Sequence, residues 1–198
     1  MKRIVVFASG SGTNAENIIK YFRKSDIASV TLLLSNNKEA KVLERAKKLS
    51  VPSLVFTKNE LNNTDLITKI LNKERPDLIV LAGFLLKFPE NILNIFSNKV
   101  INIHPALLPK YGGKGMYGMR VHEKVVENGE KEAGITIHYV NKNYDEGATI
   151  FQESFLLSQN ETAGSLAKKI HALEYEYFPK VIRELLTLKT KKKQCFKK

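Results

Sequence analysis

Arg3-Ile4-Val5-Val6-Phe7-Ala8, then Ser9-Gly10-Ser11-Gly12-Thr13, then a helix pattern over residues 14–23: this stretch decides the fold. The apolar run from Ile4 to Ala8 has no polar break, which is how a strand reads when both of its faces are covered, as in a parallel sheet. Beyond the glycines, Ala15, Ile18, Ile19 and Phe22 recur at helical spacing and form one apolar stripe. Strand, glycine turn and amphipathic helix in that order imply a parallel sheet.

Outward from this unit the alternation continues. Residues 29–34 read as strand, 39–49 as helix, 53–56 as strand and 61–73 as helix. Pro76-Asp77 introduces a strand over 78–82, and Gly83 makes the next turn. A short helix over 89–96 leads to a strand ending at His104, and 119–127 reads as helix after a glycine-rich loop. Two further strands, 134–140 and 149–156, flank a loop carrying Asp145. The final helix is expected from Thr162, whose hydroxyl suits an N-cap, to about 188, with a bend at Pro179.

The first turn carries a chemical signal. Small residues allow backbone N–H groups close to an anion, and the following helix N-terminus adds positive dipole, so phosphate is the natural ligand of the Ser9 to Ala15 turn. The spacing also satisfies G-x-G-x-x-A, a dinucleotide pattern. Against that, the second strand ends in Ser35-Asn36-Asn37, with no acid to hold a ribose diol. There is no lysine after the glycines for a triphosphate loop and no Gly-x-Ser-x-Gly elbow for a hydrolase. A glycine turn without a ligand is the competing reading.

A second signal is Asn102-Ile103-His104-Pro105-Ala106-Leu107-Leu108-Pro109, with Asp145 following in Tyr144-Asp145-Glu146-Gly147. Alternate residues of a strand share a face, so Asn102 and His104 point the same way before the prolines take the chain out of the sheet. Ligands of parallel sheets bind beyond the carboxyl ends of the strands. An amide, an imidazole and a carboxylate there can stabilise an oxyanion and move a proton, which acyl transfer requires. A histidine that merely caps a turn is the alternative.

Composition narrows the classes. The chain of 198 residues, 43% hydrophobic, suits one domain over residues 1–188. No apolar run is long enough to span a bilayer and no signal peptide is evident, so a cytoplasmic protein without membrane contact is expected. One cysteine, Cys195, and four scattered histidines give no zinc spacing, and no metal is expected. His138, mid-strand, and His171, on the last helix, read as structural.

Six of the last ten residues are lysines, which leaves +6 of the net +12 on the body. The tail, 189–198, reads as solvated and disordered, without the aromatic-basic interleaving of a nucleic-acid surface. The remaining positive charge suits an anionic small molecule.

Together, the Ser9 to Asn14 turn, Ala82-Gly83-Phe84, the His-Pro-Ala-Leu-Leu-Pro-Lys-Tyr core ending at Tyr111, and Tyr144 to Gly147 resemble the phosphoribosylglycinamide formyltransferase family. The resemblance extends in order and spacing up to about residue 188. It implies a single-domain α/β, Rossmann-like formyltransferase fold: a mostly parallel twisted sheet with helices on both faces. It implies transfer of the formyl group of 10-formyltetrahydrofolate, as co-substrate, to the amine of glycinamide ribonucleotide in purine synthesis, by a monomer or homodimer acting on small molecules.

Carried over by residue, Asn102, His104 and Asp145 are the catalytic group, with Asn102 and a protonated His104 as oxyanion donors. Gly12, Thr13, Asn14 and Glu174 bind the ribonucleotide, and Leu85, Leu86, Lys87, Phe88 and Asn102 line the folate cleft. Two departures stand out. The loop from Gly112 to Met119 is longer than the family's and lacks its extra histidine, with His122 matching one farther along. Residues 58–65 hold no arginine for the folate's glutamate carboxylates, a role left to Lys87 or Lys58.

Other readings compete. Formylation of methionyl-tRNA is expected to need an additional C-terminal domain, and a formyl-folate hydrolase an additional N-terminal one. A silent nucleotide-binding module would use only the glycine turn.

Overall fold

The computed structural model describes residues 1–195, with side chains through Leu188, and forms two compact units. The first comprises residues 1–86 and the chain from Pro179 onward; the second is residues 87–178.

In the first unit β1 (Lys2–Phe7), β2 (Ala28–Ser35), β3 (Ser53–Val55) and β4 (Leu78–Leu81) lie in the order β3-β2-β1-β4, every pairing parallel. Val6 sits at the centre, opposite Leu33 on one side and Val80 on the other. Ile4 to Phe7 are fully buried, as the unbroken apolar run implied.

The connections are α1 (Thr13–Arg23), α2 (Lys41–Lys48), α3 (Lys58–Asn63) and α4 (Leu66–Glu74). Helix α1 buries Ala15, Ile18, Ile19 and Phe22, the predicted stripe. Each large apolar side chain so buried contributes about 1.5–3 kcal/mol.

One expected helix, 61–73, is two. The Thr57 hydroxyl accepts from Glu60 N–H at 3.1 Å while the Glu60 carboxylate accepts from Thr57 N–H at 2.6 Å, a capping box that starts α3 earlier. Thr64 adopts an extended backbone at φ −129 and ends α3. Its hydroxyl donates back to Glu60 O at 2.8 Å and accepts from Leu66 N–H at 3.2 Å, so one side chain closes α3 and opens α4.

The second unit holds α5 (Glu90–Ile95), β5 (Val100–His104), α6 (Met119–Glu127), β6 (Glu132–Tyr139) and β7 (Thr149–Leu156), with β5-β6-β7 antiparallel throughout. The parallel expectation therefore applies to the first unit. The nine-residue connection between β6 and β7 is a hairpin, too short for a parallel crossover.

Helix α7 (Ala163–Cys195) begins as expected, with Ser165 N–H donating to the Thr162 hydroxyl at 3.1 Å, and carries Pro179 inside it. The helix runs past its expected end near 188 to Cys195, through residues expected to begin a disordered tail, while residues 196–198, the side chains from 189 on and with them Cys195's thiol lie outside the described residues. No helix among the described residues is long and apolar enough to cross a membrane.

Candidate active site

The second unit assembles the site at the end of β5. In the antiparallel register Asn102 pairs with His138 and His104 with Thr136. Directly opposed residues of neighbouring strands project on one face, so His138 enters the site beside Asn102.

The His138 Nδ1 lies 2.9 Å from Tyr139 O, an acceptor, and so carries the proton. Its Nε2 is then a lone pair, and Asn102 Nδ2 donates to it at 3.1 Å. The same amide reaches Asp145 Oδ1 at 3.5 Å.

His104 is 3% exposed. Its Nε2 donates to Tyr111 O at 2.7 Å, which leaves Nδ1 facing Asp145 Oδ2 at 3.6 Å. Burial pushes the His104 pKa below its ordinary 6.5, against the pull of Asp145 and the Tyr111 carbonyl. The expected protonated His104 is thus corrected: at rest the ring is neutral, and a proton reaches it at Nδ1, beside the carboxylate.

Asp145 sits at φ +55, in the left-handed region. Its Oδ2 accepts from Gly113 N–H at 2.9 Å, and His138 Nε2 lies 3.6 Å from Oδ1. Burial alone would raise its pKa, but its polar surroundings, the Gly113 N–H among them, outweigh that and hold it below 3.8. The carboxylate is therefore ionised. A Cβ on Gly112 would lie 3.2 Å from Asp145 Cβ, so the close approach of the two loops suits glycine there.

Thr136 fastens the loop after His104. Its hydroxyl donates to Ala106 O at 2.7 Å and accepts from Leu108 N–H at 3.0 Å and from Gln152 Nε2 at 2.9 Å. One donor and two acceptor positions are all a hydroxyl has, and all are used. The loop then reaches Tyr111, also left-handed at φ +57, whose hydroxyl is 2.8 Å from both Glu130 and Asn128 Nδ2. Side chain and backbone together aim its carbonyl at His104.

Asn102 and His104, neighbours on β5, thus converge on the carboxylate of Asp145, far along the chain. His138, the Tyr111 carbonyl and Gly113 N–H were missed. Two of these are backbone groups with no sequence signal, and His138's role needs the strand pairing.

In the first unit the glycine turn lies where expected. Gly12, at φ +71, is the N-cap of α1, followed by Thr13 and Asn14. The first turn of a helix directs its N–H groups outward. Leu85 is 48% exposed, Leu86 half-buried and Lys58 exposed. In the second unit Lys87 is exposed, whereas Phe88 (3% exposed) and Glu174 (6%) are buried. Among the described residues, no group of three or more His, Cys, Asp or Glu is arranged to hold a metal ion.

The formyl transferase family model matches residues 2–182. This chain belongs to the formyl transferase family. The Bacillus subtilis phosphoribosylglycinamide formyltransferase is 35% identical over 95% of this chain and 96% of its own length. The chloroplastic enzyme of that name from Arabidopsis thaliana is also 35% identical, but this chain spans only 64% of its length.

Among solved structures, glycinamide ribonucleotide transformylase 1 from Geobacillus kaustophilus superposes with a TM-score of 0.84 at 35% identity, covering 94% of this chain and 99% of that one. The Anaplasma phagocytophilum phosphoribosylglycinamide formyltransferase gives 0.84 at 34% identity, over 94% and 87%. Membership in the family carries the α/β fold class with it.

Proposed function

We propose that this protein transfers the formyl group of 10-formyltetrahydrofolate to the amine of glycinamide ribonucleotide, yielding formylglycinamide ribonucleotide and tetrahydrofolate in de novo purine synthesis. The observation that carries the reading is the convergence of Asn102 and His104 on the ionised Asp145 in a chain of this family. Residues 1–188 act as one catalytic domain, in the cytoplasm, as a monomer or homodimer.

The amine attacks the formyl carbon, and the carbonyl oxygen becomes an oxyanion. Asn102 Nδ2 has two hydrogens. One is held by His138, and the bond of the other to Asp145, at 3.5 Å, is long enough to yield to a stronger acceptor. Asp145 takes the proton from the attacking nitrogen, directly or through a water, and the neutral Nδ1 of His104 beside it shares that proton before it passes to the leaving folate nitrogen. No covalent enzyme intermediate is involved.

Gly12, Thr13 and Asn14 hold the ribonucleotide phosphate, and Glu174 contacts the same substrate. Leu85, Leu86, Lys87, Phe88 and Asn102 line the folate cleft, with Phe88 contributing from a buried position and Lys87 or Lys58 meeting the glutamate carboxylates.

The test is folate deformylation followed by absorbance, with and without glycinamide ribonucleotide. Turnover that requires the ribonucleotide and yields its formyl product is the expected result. Turnover without it would indicate a hydrolase, and none in either reaction would overturn the assignment.

A further inference from the structure

The glycine turn of the first unit has no bulky side chain of its own to fix it, yet an anion receptor needs N–H groups at set positions. Fixing the backbone of each residue costs about 1–2 kcal/mol of entropy, which weakens binding unless it is met before the ligand arrives. Helix α2 meets it at three successive points. Val42 N–H donates to Gly10 O at 3.2 Å. Arg45 Nε donates to Ser11 O at 2.8 Å. The Val42 side chain packs against Gly12 so closely that a Cβ there would lie 2.1 Å from Val42 Cγ2.

The consequence follows from peptide geometry. In a trans peptide the C=O and the next N–H point in opposite directions. With the Gly10 and Ser11 carbonyls turned toward α2, the N–H groups of Ser11 and Gly12 are turned away from it, on the other side of the loop. Consecutive N–H groups so aligned form an anion-binding concavity.

Arg45 does not supply the positive charge. Its guanidinium is paired with Glu16, which Lys20 also contacts at 2.5 Å. Burial opposes the Glu16 charge, but the Lys20 hydrogen bond, the largest influence, together with Arg45 holds its pKa below 4.5, so the pair stays ionised at neutral pH. The guanidinium fork is committed to a carbonyl on one arm and a carboxylate on the other, a double duty that a lysine ammonium on a flexible stem does not reproduce.

We propose that Arg45 is a positioning residue for the phosphate monoester of the substrate: it locks the Ser11–Gly12 peptide with its N–H toward the anion. This rests on the reading of residues 12–14 as the phosphate loop.

The test is steady-state kinetics of Arg45→Ala and Arg45→Lys with three probes: glycinamide ribonucleotide, its dephosphorylated ribonucleoside, and inorganic phosphate as inhibitor. The expected result is a rise of about tenfold in KM for the ribonucleotide and in the phosphate inhibition constant, in both variants, as befits loss of a charge-assisted hydrogen bond. Use of the ribonucleoside and KM for the folate stay within about twofold.

Full rescue by Arg45→Lys would mean a counter-charge and overturn the positioning role. Equal losses with ribonucleotide and ribonucleoside would mean a merely structural residue and overturn it too. Phosphate that fails to compete with the ribonucleotide in the unsubstituted protein would instead overturn the reading of the loop. Phosphate that competes equally well in all three proteins would overturn the inference about Arg45 alone.

Discussion

Asn102 on β5 and His138 on β6 stand opposite each other, with the amide Nδ2 of the first 3.1 Å from the imidazole Nε2 of the second. The contact orients the amide, whose Nδ2 also reaches Asp145 Oδ1 at 3.5 Å. His138→Ala is expected to lower kcat by about ten- to a hundredfold. An unchanged kcat would remove His138 from the site.

Asp145→Asn keeps an oxygen for Gly113 N–H but cannot accept a proton. Turnover should drop about 10²-fold or more with little change in either KM, the pattern of an interaction made in the transition state. Near-normal turnover would sink the role given to Asp145.

Stability should fall in acid. His122 is 3% exposed, its Nδ1 has no hydrogen-bond partner among the described residues, and burial, with the charges of His171 and His104, pushes its pKa down to about 4. The unfolded chain takes up this proton near the ordinary 6.5 and the folded chain only near 4, so stability declines as pH drops between those values. The loss at pH 5 is about 2 kcal/mol. His104, also depressed, acts in the same direction, and Asp145 adds its own loss below 3.8. Urea unfolding at about pH 7.5 and about pH 5 measures the difference, and His122→Leu should shrink it. An undiminished difference would assign the effect elsewhere.

Gly147 lies in the β6–β7 hairpin, where a Cβ would fall 1.6 Å from Tyr139 O. Backbone cannot yield as a side-chain tip does, so Gly147→Ala should displace the Asp145 loop or unfold the hairpin. Loss of kcat together with a lower thermal midpoint is the expected result; an unchanged protein would mean that the hairpin tolerates a different path.

Much of this was legible in the sequence. The Ile4 to Ala8 run and the Ala15, Ile18, Ile19, Phe22 stripe carry their periods openly, and Asn102 and His104 follow from strand alternation alone. The split into α3 and α4 was legible too, since Thr57 and Glu60 stand at capping-box spacing, but the apolar pattern beyond Leu61 masked it. What the sequence could not convey is long-range pairing. His138 looks structural until the antiparallel register sets it against Asn102, and a carbonyl such as that of Tyr111 has no letter. Burial of Phe88 and the neutral state of His104 likewise depend on packing, which spacing does not encode.

The bond from Gly113 N–H to Asp145 joins two loops that both pass through left-handed residues, Tyr111 and Asp145. Each such residue costs on the order of 1 kcal/mol and persists only while its surroundings hold it. With either loop undocked, Asp145 titrates as an ordinary solvent carboxylate and His104 loses its facing charge. The site therefore behaves as a logical conjunction: both loops in place set the carboxylate beside His104 and Asn102, and one in place does not.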